Sequence, residues 1–175
     1  WFQSKQAPTS VTAASLPVTV DADAKLCVDI NLNNKPWLGM VINGKTFDGG
    51  KHTISNLNMS QYLLNQQATI YTPEACIGLF AAVYGNAAIK DITLDRVTIE
   101  PSAEKSPKWV GSLVGYSKGT GTTYTNCIAK NVKILTKGTN SFRVGGLIGY
   151  IEKNKGTSDA TATLTGCKVE TANIA

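Results

Sequence analysis

Apolar and polar positions along this chain recur at a fixed long interval, not with the period of a helix. The stretches CIGLFA, VGSLVGY and VGGLIGY carry the same order of apolar residues and glycines. Their central leucines, Leu79, Leu113 and Leu147, are equally spaced along the chain. Equal intervals in the range of about 20–50 residues are typical of one supersecondary unit that stacks on copies of itself.

A second pattern lies between the leucines and reads apolar, any residue, Asp or Asn, apolar. It occurs in CVDINL, ISNLNM, IKDITL and YTNCIA, and in a degenerate form in LTGCKV. Its third position holds Asp29, Asn56, Asp91 and Asn126, and Gly166 in the degenerate copy. Asn and Asp tolerate left-handed backbone and satisfy corner backbone groups with their side chains. We therefore predict that the first four residues form a structural ladder of stacked corners.

The segments between these anchors are short, β-branched and separated by clusters of Gly, Asn, Lys and Thr, which is typical of strands and turns. None sustains a period near that of an α-helix. Short strands in repeats of unequal length with fixed anchor positions predict an all-β fold, a parallel β-helix of about five coils. We assign it to residues 24–175 and interpret residues 1–23 as a linker or N-terminal cap.

The four cysteines lie where other copies of the pattern carry apolar residues. The alignment predicts three inward rows: Cys27 with Ile54 and Ile89; Cys76 with Val110 and Val144; and Cys127 and Cys167 with Ile30, Leu57 and Ile92. We expect four buried, reduced thiols that pack as small hydrophobes. A bridge between Cys127 and Cys167 would need distortion, because strands lie about 4.8 Å apart and disulfide Cβ atoms about 3.8 Å apart. An even cysteine count in an exported protein is the argument for the alternative.

The net charge of +5 does not point to nucleic acid. Fifteen of the seventeen basic residues are lysines scattered singly, and the only arginines are Arg96 and Arg143. Phosphate recognition favours arginine forks and clustered basic stripes. We predict a solvated lysine surface and no nucleic-acid partner. The chain also lacks an apolar run of roughly 18 residues or more, so we expect no membrane-spanning segment within it.

Several of these motifs together resemble a known family. DINLNNKPW, GKTFDGGKHTISNLNM and the three glycine stretches resemble the GLUG-motif repeats of bacterial surface proteins over residues 24–175. This resemblance implies a right-handed β-helix that is exported and displayed at the cell surface, often in adhesin-like proteins. It supplies no common catalytic residues. The chain begins at Trp1 without a methionine, so we expect a processed or trimmed piece of a longer protein. The resemblance, and not the absence of a visible signal peptide, implies an extracellular or cell-surface location.

Catalytic chemistry is not evident in the sequence. Enzymes built on β-helices need carboxylates gathered on one face, and the acids of this chain fall in separate corner positions. Asp48 in FDGG is expected to form a turn with the glycines that follow it. His52 has no partner at the spacing of a metal site. We predict no catalytic residues, no metal and no cofactor; the alternative is a carbohydrate-active β-helix enzyme, a polysaccharide lyase or glycoside hydrolase.

One aromatic group is a candidate ligand-binding site. Tyr116 and Tyr150 are separated by the same interval as the leucines, as are Trp109 and Arg143, so each pair is expected to stack. A solvent-facing row of these side chains would suit a glycan or a cell-surface protein. Alternatively the tyrosines pack inward or cover a corner, because the corner glycines interrupt the in/out alternation. Together with the role that the resemblance implies, this row leads us to predict adhesion or ligand display, with a spacer that binds no ligand as the other non-enzymatic hypothesis. The open ends of such a stack are candidates for end-to-end association.

Overall fold

The computed structural model describes residues 18–59, 76–100, 108–136, 143–153 and 162–175. These residues form parallel β-strands. The strands are β1 (Val18–Val20), β2 (Ala24–Lys25), β3 (Ile30–Asn31), β4 (Met40–Asn43), β5 (Thr46–Asp48), β6 (Thr53–Asn58), β7 (Cys76–Ile77), β8 (Phe80–Tyr84), β9 (Ala88–Ile99), β10 (Trp109–Gly111), β11 (Val114–Lys118), β12 (Thr122–Ile134), β13 (Arg143–Gly145), β14 (Ile148–Glu152), β15 (Ala162–Thr165) and β16 (Lys168–Ile174). Within these ranges no helix is long and apolar enough to cross a membrane.

The strands assemble into three parallel sheets. One sheet has the order β1-β4-β8-β11-β14, and a second has the order β7-β10-β13. The third runs β2-β5-β9-β12-β15, with β3 joined through β6 to β9 and with β16 beside β12. Each strand thus pairs with its counterpart in the next repeat, as the spacing of the leucines predicts. The expectation of an all-β fold with parallel strand pairing is confirmed.

Left-handed residues bend the longest strands at two points. The buried residues of β12 are Thr122, Tyr124, Cys127, Ala129, Val132 and Ile134. The steps of three in this series span Asn126 and Asn131, whose φ angles are 52° and 51°. In β9, Asp91 and Arg96 have φ angles of 50° and 56° and interrupt the alternation in the same way. Each left-handed residue bends the strand and shifts the alternation of inward and outward side chains by one position. The buried residues before and after the bend therefore face the same interior.

The predicted ladder is divided between two rows of corners. Asp91 and Asn126 are neighbours, because β9 and β12 pair in register around them, and Asn126 Nδ2 donates to Asp91 Oδ1 at 2.9 Å. Asn56 lies beside Arg96 in the second row, and Arg96 Nε donates to Asn56 Oδ1 at 2.8 Å. Its placement in a row with Asp91 is therefore wrong. Asp29 belongs to neither row, since its φ angle is not left-handed and its carboxylate accepts the N–H of Thr53.

The inward rows require the same correction. Ile92, Cys127 and Cys167 do lie in consecutive positions of one row, because the residues on both sides of them pair in register. Ile30 instead pairs with Ile54, and Leu57 takes the position next to Val97. The motif of an apolar residue before and after Asn fits both corners of a repeat, and the alignment chose the wrong corner for the early strands.

The cysteine predictions are partly wrong. Cys76 and Cys127 are buried, whereas Cys167 is half-buried and Cys27 is exposed. Cys27 lies between β2 and β3, opposite the turn that contains Gly50, and so does not occupy the row of Ile54. No disulfide joins the four cysteines in this structure.

The predicted row for Cys76 is shifted by one position. Cys76 pairs with Trp109, and Ile77 pairs with Val110. Residues 77–80 reach the next sheet with one residue fewer than residues 110–114 use, because Phe80 is aligned with Val114. Val110 and Val144 are register partners as predicted. The constant interval between the leucines therefore does not extend to the residues that precede Gly78.

The glycines of the repeated motif allow two strands to touch through their backbones. A Cβ atom on Gly149 of β14 would lie 2.6 Å from the backbone nitrogen of Val110 in β10, closer than real contacts permit. Leu113, in the tight link between β10 and β11, is fully buried, and Leu147 is 9% exposed. The motif therefore allows β10 and β14, which belong to different sheets, to lie in backbone contact, and its leucine packs into the core.

Candidate binding surface

The four predicted site residues lie together on neighbouring strands. Trp109 of β10 is the register partner of Arg143 in β13, and Tyr116 of β11 is the register partner of Tyr150 in β14. The backbone contact between β10 and β14 brings the two pairs together. We call these four residues the outer aromatic cluster, because their three rings belong to an apolar group separate from the main core.

The three rings of the outer aromatic cluster contact one another. The ring centroids of Trp109 and Tyr116 are 4.8 Å apart, and those of Trp109 and Tyr150 are 5.6 Å apart with the planes 10° from parallel. Tyr116 and Tyr150 have centroids 6.1 Å apart. These separations are within the range in which aromatic pairs add about 0.5–1.5 kcal/mol beyond the burial of their area.

Arg143 places its guanidinium carbon 4.2 Å from the centroid of the Tyr150 ring. A cation within about 6 Å of a ring centroid is attracted by the negative face of the ring. Arg143 is exposed and Tyr150 is half-buried. The accessible part of the cluster is thus an aromatic ring with a guanidinium group held against it.

A carboxylate and an ammonium group border the rings. The hydroxyl of Tyr116 donates a hydrogen bond to the carboxylate of Glu152. Lys118 Nζ lies 3.4 Å from Glu152 Oε1, and its side chain is 47% exposed. Together with Glu152 and Lys118, the cluster therefore places aromatic, cationic and carboxylate groups side by side.

Burial limits the row that was predicted to face solvent. Trp109 is 5% exposed and Tyr116 is 1% exposed, so these rings support the patch and do not present a face to a ligand. They pack against Cys76, Ala81 and Ala82. Of the four predicted residues, only Tyr150 and Arg143 are accessible to a partner. The prediction of a solvent-facing side chain is therefore wrong for Tyr116.

The remaining acidic candidates are held by turns. Asp48 Oδ1 accepts the Gly50 N–H at 2.8 Å, which lowers the pKa of Asp48, and Lys90 at 3.4 Å lowers it further. This agrees with the turn expected at FDGG. The N–H of Thr53 lowers the pKa of Asp29, and His52 adds to the effect.

The sequence did not reveal that His52 has an acidic partner. His52 Nδ1 lies 3.1 Å from Asp29 Oδ1. The two residues are separated by 23 positions, and only the pairing of their strands brings them together. Across the described part of the chain, no three His, Cys, Asp or Glu residues are grouped closely enough to hold a metal ion.

No protein-family model, curated protein or solved structure matches the chain. The resemblance to GLUG-motif repeats stays a prediction that rests on the motifs themselves.

Proposed function

We propose that the chain is a non-enzymatic, exported cell-surface domain, built as a right-handed parallel β-helix, that serves adhesion or ligand display. Parallel pairing of equivalent strands in all three sheets supports the β-helix. Connections between parallel strands of one sheet are right-handed in about 98% of cases, which supports the hand. The GLUG-like motifs support export and display at the surface.

The outer aromatic cluster is the observation that supports binding. Tyr150 is held between stacked neighbours and an arginine, so little side-chain entropy remains to be lost when a ligand binds. A fixed aromatic face with nearby hydrogen-bonding groups suits a sugar ring or a side chain of another protein. We therefore propose a glycan or a cell-surface protein as the partner, contacted through Tyr150 and Arg143.

Retention on immobilised glycans and on cell-surface proteins tests this function. The chain is applied to both panels, and bound protein and any released product are measured. Tyr150→Ala and Arg143→Ala should each weaken retention about 10-fold or more, as expected for an anchor worth about 1.4 kcal/mol or more. Lys45→Ala, which removes a positive charge from an exposed turn, is the matched control and should retain binding.

Three results would change the proposal. Retention that survives loss of both Tyr150 and Arg143 would remove the cluster as the binding surface. Absence of retention on every surface would favour the spacer hypothesis. Release of product that disappears in Asp48→Asn or Asp91→Asn would contradict the non-enzymatic assignment and favour a polysaccharide lyase or glycoside hydrolase.

A further inference from the structure

Two cysteines face each other across neighbouring strands at one side of the largest sheet. Thr125 pairs with Thr165, and Ile128 pairs with Lys168, so Cys127 and Cys167 occupy opposite positions between these pairs. Adjacent strands lie about 4.8 Å apart. This spacing is within the Cα separations of about 4.4–6.8 Å that disulfides span.

The two thiols point in the same direction. Cys127 Sγ lies 3.4 Å from the carbonyl oxygen of Ile89, and Cys167 Sγ lies 3.3 Å from the carbonyl oxygen of Tyr124. Ile89 and Tyr124 are themselves register partners. Each thiol therefore donates to the equivalent carbonyl of the strand before it, and the two side chains repeat one arrangement.

The cysteines differ in access to solvent. Cys127 is fully buried, whereas Cys167 is half-buried between β15 and β16. Among the described strands, β15 and β16 each pair only with β12. A strand held on one side can lean toward its neighbour, which would bring the Cβ atoms closer than the ordinary strand spacing.

We propose that Cys127 and Cys167 are a modification site that forms an intramolecular disulfide on reaction with a small-molecule disulfide such as oxidised glutathione. The bridge would join β12 to the chain between β15 and β16. It would replace the reduced pair expected from the sequence. The inference rests on the register and on the direction of the thiols, and it holds whether or not the outer aromatic cluster binds a ligand.

The reaction proceeds by two thiol–disulfide exchanges. The Cys167 thiolate attacks one sulfur of oxidised glutathione, forms a mixed disulfide and releases one glutathione thiolate. Cys127 then loses its proton to solvent, and its thiolate attacks Cys167 Sγ and releases the second glutathione. Two protein thiols are oxidised, and one glutathione disulfide is reduced to two thiols.

The second exchange is expected to be the slower one. Burial raises the pKa of the Cys127 thiol. A thiol with a raised pKa has a small thiolate fraction, and the thiolate is the nucleophile. The mixed disulfide at Cys167 should therefore appear first and be converted to the protein disulfide.

Mass spectrometry on the whole chain with Cys27→Ser tests the proposal, because this substitution removes the exposed thiol that would compete for glutathione. Incubation with oxidised glutathione should produce a mass loss of about 2 Da and a non-reduced peptide pair that contains Cys127 and Cys167. The melting temperature should rise by on the order of 5 °C and return after reduction.

Two further measurements make the outcome decisive. In Cys127→Ser the mixed disulfide at Cys167 should persist, because the neighbouring strand then has no thiol to resolve it. In protein that retains both cysteines, denaturation and alkylation should find neither thiol after oxidation. A persistent glutathione adduct on Cys167 together with an alkylated Cys127 would overturn the proposal without relying on the folding of any core variant.

Discussion

Tyr124 donates its buried hydroxyl to Oγ of Ser117, and this 2.8 Å hydrogen bond joins β12 to β11. Both side chains are fully buried. A polar pair in such a place is tolerated because each group satisfies the other, whereas a single unsatisfied buried hydroxyl costs about 1–3 kcal/mol. The pair therefore fixes the relation between two sheets without adding much net stability.

A double-mutant cycle should reveal this dependence. Tyr124→Phe leaves the Ser117 hydroxyl without its partner and should lower the free energy of unfolding by about 1–3 kcal/mol. Adding Ser117→Ala removes the unsatisfied group and should recover part of that loss. Urea denaturation of the two single variants and the double variant measures the coupling. Additive losses would show that the hydrogen bond has no role in stability.

Tyr124 should also make the fold sensitive to alkali. Burial raises the pKa of its phenol above the ordinary value of about 10. A raised pKa in the folded state means that the stabilisation is complete below about pH 10 and declines as the pH rises, because only the unfolded chain ionises readily. The urea midpoint should fall from about pH 9.5 to pH 11 less in Tyr124→Phe than in the unmodified chain. Equal slopes would contradict this account.

The Asp48 carboxylate should affect the stability of the fold in acid, whereas Tyr124 affects it in alkali. Its lowered folded pKa means that the stabilisation is present above the unfolded value of about 3.9 and is lost as the pH falls through the folded value. Asp48→Asn should therefore show a shallower loss of stability between about pH 5 and pH 2. Lys90→Ala should keep most of the slope, because the Gly50 N–H has the larger effect. Urea midpoints measured across this range test both variants.

The sequence predicted the elements that depend on spacing. The constant interval between the repeated leucines identified the pairing of Tyr116 with Tyr150, because a stacked repeat places equivalent residues side by side. The Asp/Asn motif gave the wrong position for Asn56, since the same short motif fits both corners of a repeat. The sequence also could not decide that Tyr116 is buried while Tyr150 is accessible. That difference follows from the place of each strand in its sheet, because β11 lies between β8 and β14, whereas β14 pairs only with β11 among the described strands.

Asn126 should be sensitive to substitution because of its backbone as well as its side chain. Its φ of 52° is unfavourable for a residue with an ordinary side chain, and its Nδ2 bonds to Asp91. Asn126→Ala should destabilise the chain by about 1–3 kcal/mol, the sum of a left-handed cost and a lost hydrogen bond. Asn126→Gly is the matched control and should lose less, because Gly166 already occupies the equivalent corner. A larger loss in Asn126→Gly would refute the role of the left-handed backbone.

Within the outer aromatic cluster, replacement of a buried residue should affect stability, whereas replacement of an exposed residue should affect recognition. Trp109 is buried beneath the patch, so Trp109→Ala should lower the free energy of unfolding by about 3–5 kcal/mol. Arg143→Lys keeps the charge but loses the planar contact with Tyr150, and it should cost no more than about 1 kcal/mol. Urea denaturation measures both values. Because Arg143 is exposed, any larger effect of its replacement should appear in ligand retention. A loss below about 1 kcal/mol in Trp109→Ala would mean that these rings do not support the surface above them.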